Sequence, residues 1–128
     1  MKGLCLCAGA ALAQVALDDA PVREELLMNC NFVTECFEDE ACTDVEYEPQ
    51  LTGQTGGASD QDMVVEADFE SPAGTEKMLG VMLSGALSLS GGSFAARHLL
   101  TVNADGAARY SVHYADGPMV ISYLGTCE

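Results

Sequence analysis

Three evenly spaced cysteines constrain the fold of this chain more than any other feature. Cys30, Cys36 and Cys42 stand six residues apart, and a fourth, Cys127, lies far along the chain. Four cysteines can pair in three ways. We expect Cys36 to bond to Cys42, since this bridge would close one tight acidic loop, and Cys30 to bond to Cys127.

Residues 1–13 have the pattern of a cleaved signal peptide. Lys2 gives a positive start, a short apolar run follows, and the small residues of Ala11-Leu12-Ala13 suit cleavage. Cys5 and Cys7 would be lost with this segment, which leaves an even number of cysteines. Because disulfides persist in oxidising compartments, the pattern predicts a periplasmic or secreted protein. An amphipathic or buried first helix is the alternative interpretation.

The charge of the chain narrows the classes of partner. Five basic residues stand against twenty acidic ones, for a formal net charge of −15. Nucleic acid and anionic lipid surfaces are therefore poor partners, and a basic protein or a cation is a better one. The apolar run near the start is too short for a membrane span, which needs about 20 residues. The remaining chain is long enough for one domain.

Two runs with the period of a half-buried strand flank a glycine-rich stretch. Residues 43–52 alternate acidic with apolar side chains, and so do residues 65–70. The stretch between them, 51–62, is rich in Gly, Ser and Thr and is typical of a flexible loop. We expect the two runs to pair as a hairpin across that loop. The pairing would form an outward acidic ladder of Glu48 with Glu66, Glu46 with Asp68, and Asp44 with Glu70.

The pattern of residues 76–89 fits two kinds of element. Apolar side chains fall both on a helical stripe and on one face of a strand. Gly80 and Gly85 would each weaken a helix by about 1 kcal/mol relative to Ala. We expect a strand bent at Gly85, and a helix stays open as the alternative.

The last forty residues read as an antiparallel meander of three strands. If Asn103-Ala104-Asp105-Gly106 forms a type I turn with Gly106 as a bulge, Asn103 pairs with Ala107. Apolar and polar side chains then fall on separate faces, which a one-residue shift would scramble. The resulting pairs are Leu100 with Tyr110, Val102 with Ala108, and His98 with Val112.

No recognisable catalytic or metal-binding pattern occurs. His98 is expected inside the sheet and His113 outside it, so they do not share a site. The serines lack a Gly-x-Ser-x-Gly elbow, and Glu38-Asp39-Glu40 lacks the ligand order of a helical calcium loop. We therefore expect a non-enzymatic protein without a cofactor or a metal.

These observations predict an all-β domain at 26–128, after a polar leader at 14–25. The domain is expected to be a small antiparallel meander of six to eight strands in a closed or partly closed, disulfide-stapled barrel. Closure would bring the first and last strands together, which is why Cys30 is paired with Cys127. Tyr47, Tyr110, Tyr114 and Tyr123 are expected in the core or at a barrel end.

The acidic surface is the expected site of function. We predict an inhibitor-like binding module whose acidic face docks a basic protein, analogous in compartment, charge and shape to small exported inhibitors of basic hydrolases such as lysozyme. The alternative is a carrier of a small apolar ligand in the barrel interior. The predicted partner-binding residues are Glu38, Asp39, Glu40, Asp44, Glu46, Glu48, Glu66, Asp68 and Glu70.

Overall fold

The computed structural model describes Leu17 and residues 19–128. The predicted signal peptide at 1–13 lies outside the described residues. The described residues form nine strands in sequence: β1 (Val22–Phe37), β2 (Thr43–Tyr47), β3 (Gln50–Gly57), β4 (Asp62–Ser71), β5 (Gly74–Leu83), β6 (Ala86–Gly92), β7 (Ala96–Val102), β8 (Ala107–Tyr114) and β9 (Met119–Cys127).

Eight of these strands close into an antiparallel barrel. The sheet runs β1-β3-β4-β5-β6-β7-β8-β9, and β9 pairs back to β1. β1 closes the barrel because it is long enough to have different neighbours along its length. Its first half pairs with β3, and its second half pairs with β9 on one side and with the short β2 on the other. The all-β barrel is confirmed, with β2 as an extra strand.

The barrel interior is filled by the inward side chains of alternating positions. Phe32, Leu51, Val65 and Leu100 are fully buried, and partly buried side chains such as Met28 pack against them. Opposed inward residues meet across neighbouring strands, as Leu89 meets Leu100. Such burial of large apolar side chains stabilises the fold by about 1.5 to 3 kcal/mol each.

Both predicted disulfides are present. Cys30 is bonded to Cys127 and Cys36 to Cys42. These two bridges are consistent with an oxidising, exported environment.

The predicted register of β7 with β8 is also confirmed. Leu100 lies opposite Tyr110, and His98 lies opposite Val112. The Asn103 amide donates to the Ala107 carbonyl across the turn. The apolar pattern alone was enough here because each strand has one buried face.

The predicted hairpin across a glycine-rich loop is wrong. The glycine-rich stretch is itself strand β3, which takes the place beside β4 that the first acidic run was expected to occupy. Its glycines serve close strand packing, since a Cβ on Gly53 would overlap the backbone carbonyl oxygen of Glu66. The acidic run at 43–47 is β2, which pairs with β1.

The acidic ladder therefore does not form. On β3 the residues opposite the β4 acids are uncharged: Gln50 faces Glu70, Thr52 faces Asp68 and Gln54 faces Glu66. Asp44 lies opposite Thr34 of β1 instead of Glu70.

The ambiguous segment at 76–89 is extended, but it is a hairpin and not one bent strand. β5 and β6 are joined at Ser84 and Gly85, whose φ angles of 51° and 84° are those of a tight type I′ turn. The first strand also starts earlier than expected, at Val22, so residues 22–25 of the predicted leader belong to the barrel.

Candidate functional site

A cup lined by tyrosines opens at one end of the barrel. It has a volume of about 350 Å³ and lies beside the β4–β5 turn at Pro72 and Ala73. We call it the tyrosine cup, and the barrel end that holds it the cup end. Its side-chain walls are Tyr47, Phe69, Glu76, His98, Tyr110, Val112, Tyr114 and Tyr123.

All four tyrosines of the chain line this cup, as expected for barrel-end aromatics. Tyr110 and Tyr123 face each other across β8 and β9, with ring planes 22° apart and centroids 5.7 Å apart. Tyr47 stands at right angles to both, with its centroid 5.0 Å from that of Tyr123. The cup therefore presents aromatic surfaces in two directions.

A row of three polar side chains crosses one wall of the cup. The Glu76 carboxylate lies 3.7 Å from His98 Nε2, and His98 Nδ1 is within hydrogen-bond distance of the Tyr110 hydroxyl. The planes of the His98 and Tyr110 rings are 15° apart, so the two rings lie nearly in line along this wall. The Glu76 side chain is 45% exposed, so its carboxylate is accessible from the cup.

A second carboxylate lies next to the Tyr123 hydroxyl. Glu35 sits opposite Tyr123 in the pairing of β1 with β9, beyond an irregularity in β1 between Phe32 and Thr34. Burial raises the pKa of Tyr123 well above its ordinary value, and a hydrogen bond from its hydroxyl to Glu35 adds to the increase. Tyr123 therefore stays neutral at physiological pH, and its hydroxyl donates to Glu35.

The row of Glu76, His98 and Tyr110 is not arranged for nucleophilic catalysis. Burial raises the pKa of Tyr110 far above its ordinary value, and the surrounding tyrosines and Glu76 add to the increase. A phenol that is only 4% exposed and resists ionisation is a poor nucleophile. The row instead places polar groups along one wall of the cup.

The two histidines lie apart, as the register predicts. His98 points into the barrel, and His113 is exposed on the outer face. Within Leu17 and residues 19–128, no three side chains of His, Cys, Asp or Glu converge to hold a metal ion.

Five of the predicted partner-binding residues border the cup end. They lie in and just after the loop that the Cys36–Cys42 disulfide closes, and all five are exposed. We call this group the acidic rim: Glu38, Asp39, Glu40, Asp44 and Glu46. Glu38 also ties the loop to β9, because its carboxylate accepts a 2.6 Å hydrogen bond from the Val120 amide.

The remaining predicted acids are not part of the rim. Glu48 is exposed between β2 and β3, and Glu66 and Asp68 are on β4. Glu70 is also on β4, next to the β4–β5 turn that borders the cup. Asp68 is partly neutralised by Lys77, whose Nζ lies 2.9 Å from its carboxylate. The structure thus brings together the rim acids and leaves the β4 acids separate from them.

Sequence reasoning missed Glu35 and Glu76. Glu76 had a signal, because it is in phase with the buried Met78 and so is the one acidic residue on the inward face of β5. Glu35 had none, since it is the irregularity in β1 that places it opposite Tyr123.

In the part of the chain that the structure describes, no helix is long and apolar enough to cross a membrane. Comparison of the chain with protein-family models, with curated proteins and with solved structures finds no match. Function is therefore inferred from the geometry and charge of the cup end.

Proposed function

We propose that this chain is an exported, non-enzymatic binding module that docks a basic protein through its cup end. The observation that carries the proposal is the position of the acidic rim, which a disulfide holds beside the open tyrosine cup. The disulfides support residence in the periplasm or outside the cell.

Electrostatics favours this assignment over other partners. A net charge of −15 repels nucleic acid and anionic lipid, and it accelerates association with a cationic protein. The rim acids are exposed, so a partner meets them before either surface is desolvated. Binding of this kind weakens steeply with salt, because exposed charges are screened beyond about 8 Å at physiological ionic strength.

A carrier of small apolar ligands is the weaker candidate. The cup offers about 350 Å³, which is within the range of small-ligand sites. However, the inward positions below it are occupied by buried side chains such as Leu89 and Leu100. An apolar ligand in the cup would also desolvate the Glu76 carboxylate without giving it a counter-charge.

The test is binding of the oxidised protein to lysozyme, a basic probe, at low and at high salt. Two variants with equal changes in charge separate the cup end from general attraction. The rim variant is Asp39→Asn, Glu40→Gln, Asp44→Asn and Glu46→Gln. The control, at the opposite end of the barrel, is Glu24→Gln, Glu25→Gln, Asp60→Asn and Asp62→Asn.

We expect the rim variant to lose at least about tenfold in affinity at low salt and the control to lose much less. Equal losses in the two variants would show attraction by net charge alone and would reject docking at the cup end. Absence of binding to lysozyme and to other basic proteins, even at low salt, would reject the proposed function as a whole.

A further inference from the structure

We propose that the tyrosine cup is a receptor for the guanidinium group of an arginine side chain on the docked protein. The proposal rests on the proposed function, in that it names the group of the basic partner that enters the cup. It is carried by the combination of aromatic ring surfaces with an accessible carboxylate in one open cavity.

The aromatic rings suit a flat cation. Ring faces attract cations, and a guanidinium also stacks on them. Tyr110 is buried and offers no free ring face, but Tyr47 and Tyr123 are only partly buried, and their ring planes are perpendicular. A guanidinium that enters the cup therefore meets aromatic surface on more than one side.

The carboxylate of Glu76 supplies the counter-charge. It faces His98 Nε2 at 3.7 Å, which is too long for a good hydrogen bond and leaves its oxygens able to accept from a ligand. Arginine donates two parallel N–H groups to a carboxylate, a geometry that the single ammonium of lysine cannot reproduce. Glu35 adds negative charge behind Tyr123.

The buried phenols add no charge to the cup, so carboxylates alone account for its charge-based selectivity for cations. Because Tyr110 and Tyr123 keep their protons at physiological pH, the negative charge at the cup comes from carboxylates. The cup also measures about 350 Å³ and opens at the cup end, so a long side chain can reach Glu76 from a partner held by the rim.

The test is titration of the oxidised protein with three small probes, in which binding is monitored through the NMR chemical shifts of the cup residues. N-acetyl-arginine amide supplies the guanidinium, N-acetyl-lysine amide supplies an ammonium, and N-acetyl-citrulline amide is the neutral equivalent of the arginine probe. A single side chain makes few contacts, so we expect a dissociation constant on the order of 1 mM for the arginine probe. The lysine probe should bind more weakly, and the citrulline probe should not saturate.

Two pairs of variants test the groups that are named. Glu76→Gln should weaken the arginine probe roughly tenfold, and Glu66→Gln, on the neighbouring strand but outside the barrel, should not change it. Tyr47→Leu should weaken it roughly threefold or more, and Tyr47→Phe, which keeps the ring, should stay near the wild type. Far-ultraviolet circular dichroism and unfolding curves confirm that each variant is folded.

Equal binding of the arginine and citrulline probes would overturn the proposal, and so would an unchanged affinity in Glu76→Gln. Because no partner protein is present, this titration is independent of the docking test. Binding of the arginine probe without binding of lysozyme would support the cup as a guanidinium receptor and reject the rim as a docking site. Binding of lysozyme without binding of the arginine probe would support the rim and reject the cup.

Discussion

Cys30 and Cys127 lie directly opposite each other where β1 pairs with β9, so their disulfide spans the seam at which the barrel closes. The backbone of Asn29 and Glu128 continues the pairing by two hydrogen bonds just beyond the bridge. The disulfide therefore joins the two ends of the meander at the contact that forms over the largest sequence separation.

Removal of the two disulfides should have unequal effects on stability. In the chain-entropy model, the Cys30–Cys127 bridge, with a sequence separation of 97, contributes about 4.7 kcal/mol. The Cys36–Cys42 bridge, with a separation of 6, contributes about 2.4 kcal/mol in the same model. We expect Cys30→Ala with Cys127→Ala to lower the free energy of unfolding in urea more than Cys36→Ala with Cys42→Ala. Equal losses would mean that the seam bridge does not act by restricting the unfolded chain.

Substitution of Gly53 should destabilise the barrel although the residue carries no side chain. An added Cβ would overlap the Glu66 carbonyl of the adjacent strand, so β3 and β4 would have to separate. We expect Gly53→Ala to cost roughly 1 to 3 kcal/mol in the free energy of unfolding. The neighbouring exposed residue gives the control, since Gln54→Ala should stay within about 0.5 kcal/mol of the wild type. A Gly53→Ala protein as stable as Gln54→Ala would contradict the close approach of these strands.

Gly53 also marks the limit of what could be predicted from the sequence. Where each strand has one apolar and one polar face, as around Leu100 and Tyr110, the pattern determines the register. The barrel and both disulfides followed from such patterns. In β3 the inward positions include glycines, which read as a loop because close strand packing leaves no hydrophobic signal.

The cup could be predicted only in part for a related reason. The tyrosines were expected in the core or at a barrel end, and all four line the cup. The acidic ladder was wrong because it depended on the partner of β2, which is a long-range property. Glu35 lies opposite Tyr123 because of an irregularity in β1, which no periodic pattern indicates. Sequence reasoning therefore failed where the alternating pattern of a strand is interrupted.

The acidic rim should depend on Glu38 for its position. The Glu38 carboxylate accepts from the Val120 amide, and the Glu38 amide donates to the Val120 carbonyl at 3.1 Å. We expect Glu38→Ala to speed hydrogen exchange at the Val120 amide, because this proton loses its acceptor. Asp39→Ala removes the same charge from the next residue and should leave that exchange rate unchanged. Equal protection in both variants would show that the side chain of Glu38 does not hold the loop.

The buried tyrosines should make the protein lose stability at high pH. A tyrosine is neutral when protonated, and burial raises the pKa of Tyr110 above the value of about 10 that applies in the unfolded chain. Between these two values the folded state binds more protons than the unfolded state. The stabilisation is therefore complete below about pH 10 and is lost as the pH rises toward the folded pKa, by about 1.4 kcal/mol per pH unit.

Urea unfolding at a series of pH values from about 9 to 11 measures this loss directly. Tyr110→Phe keeps the ring and removes the ionisable hydroxyl. The free energy of unfolding of this variant should therefore fall less steeply with pH, with a slope that differs from the wild-type slope by about 1.4 kcal/mol per pH unit. Lysines titrate in the same range, but they are identical in both proteins and cancel in the comparison. A slope that does not differ between Tyr110→Phe and the wild type would mean that the Tyr110 hydroxyl is already accessible to ionisation in the folded barrel, and the wall of the cup would then be less buried than the structure shows.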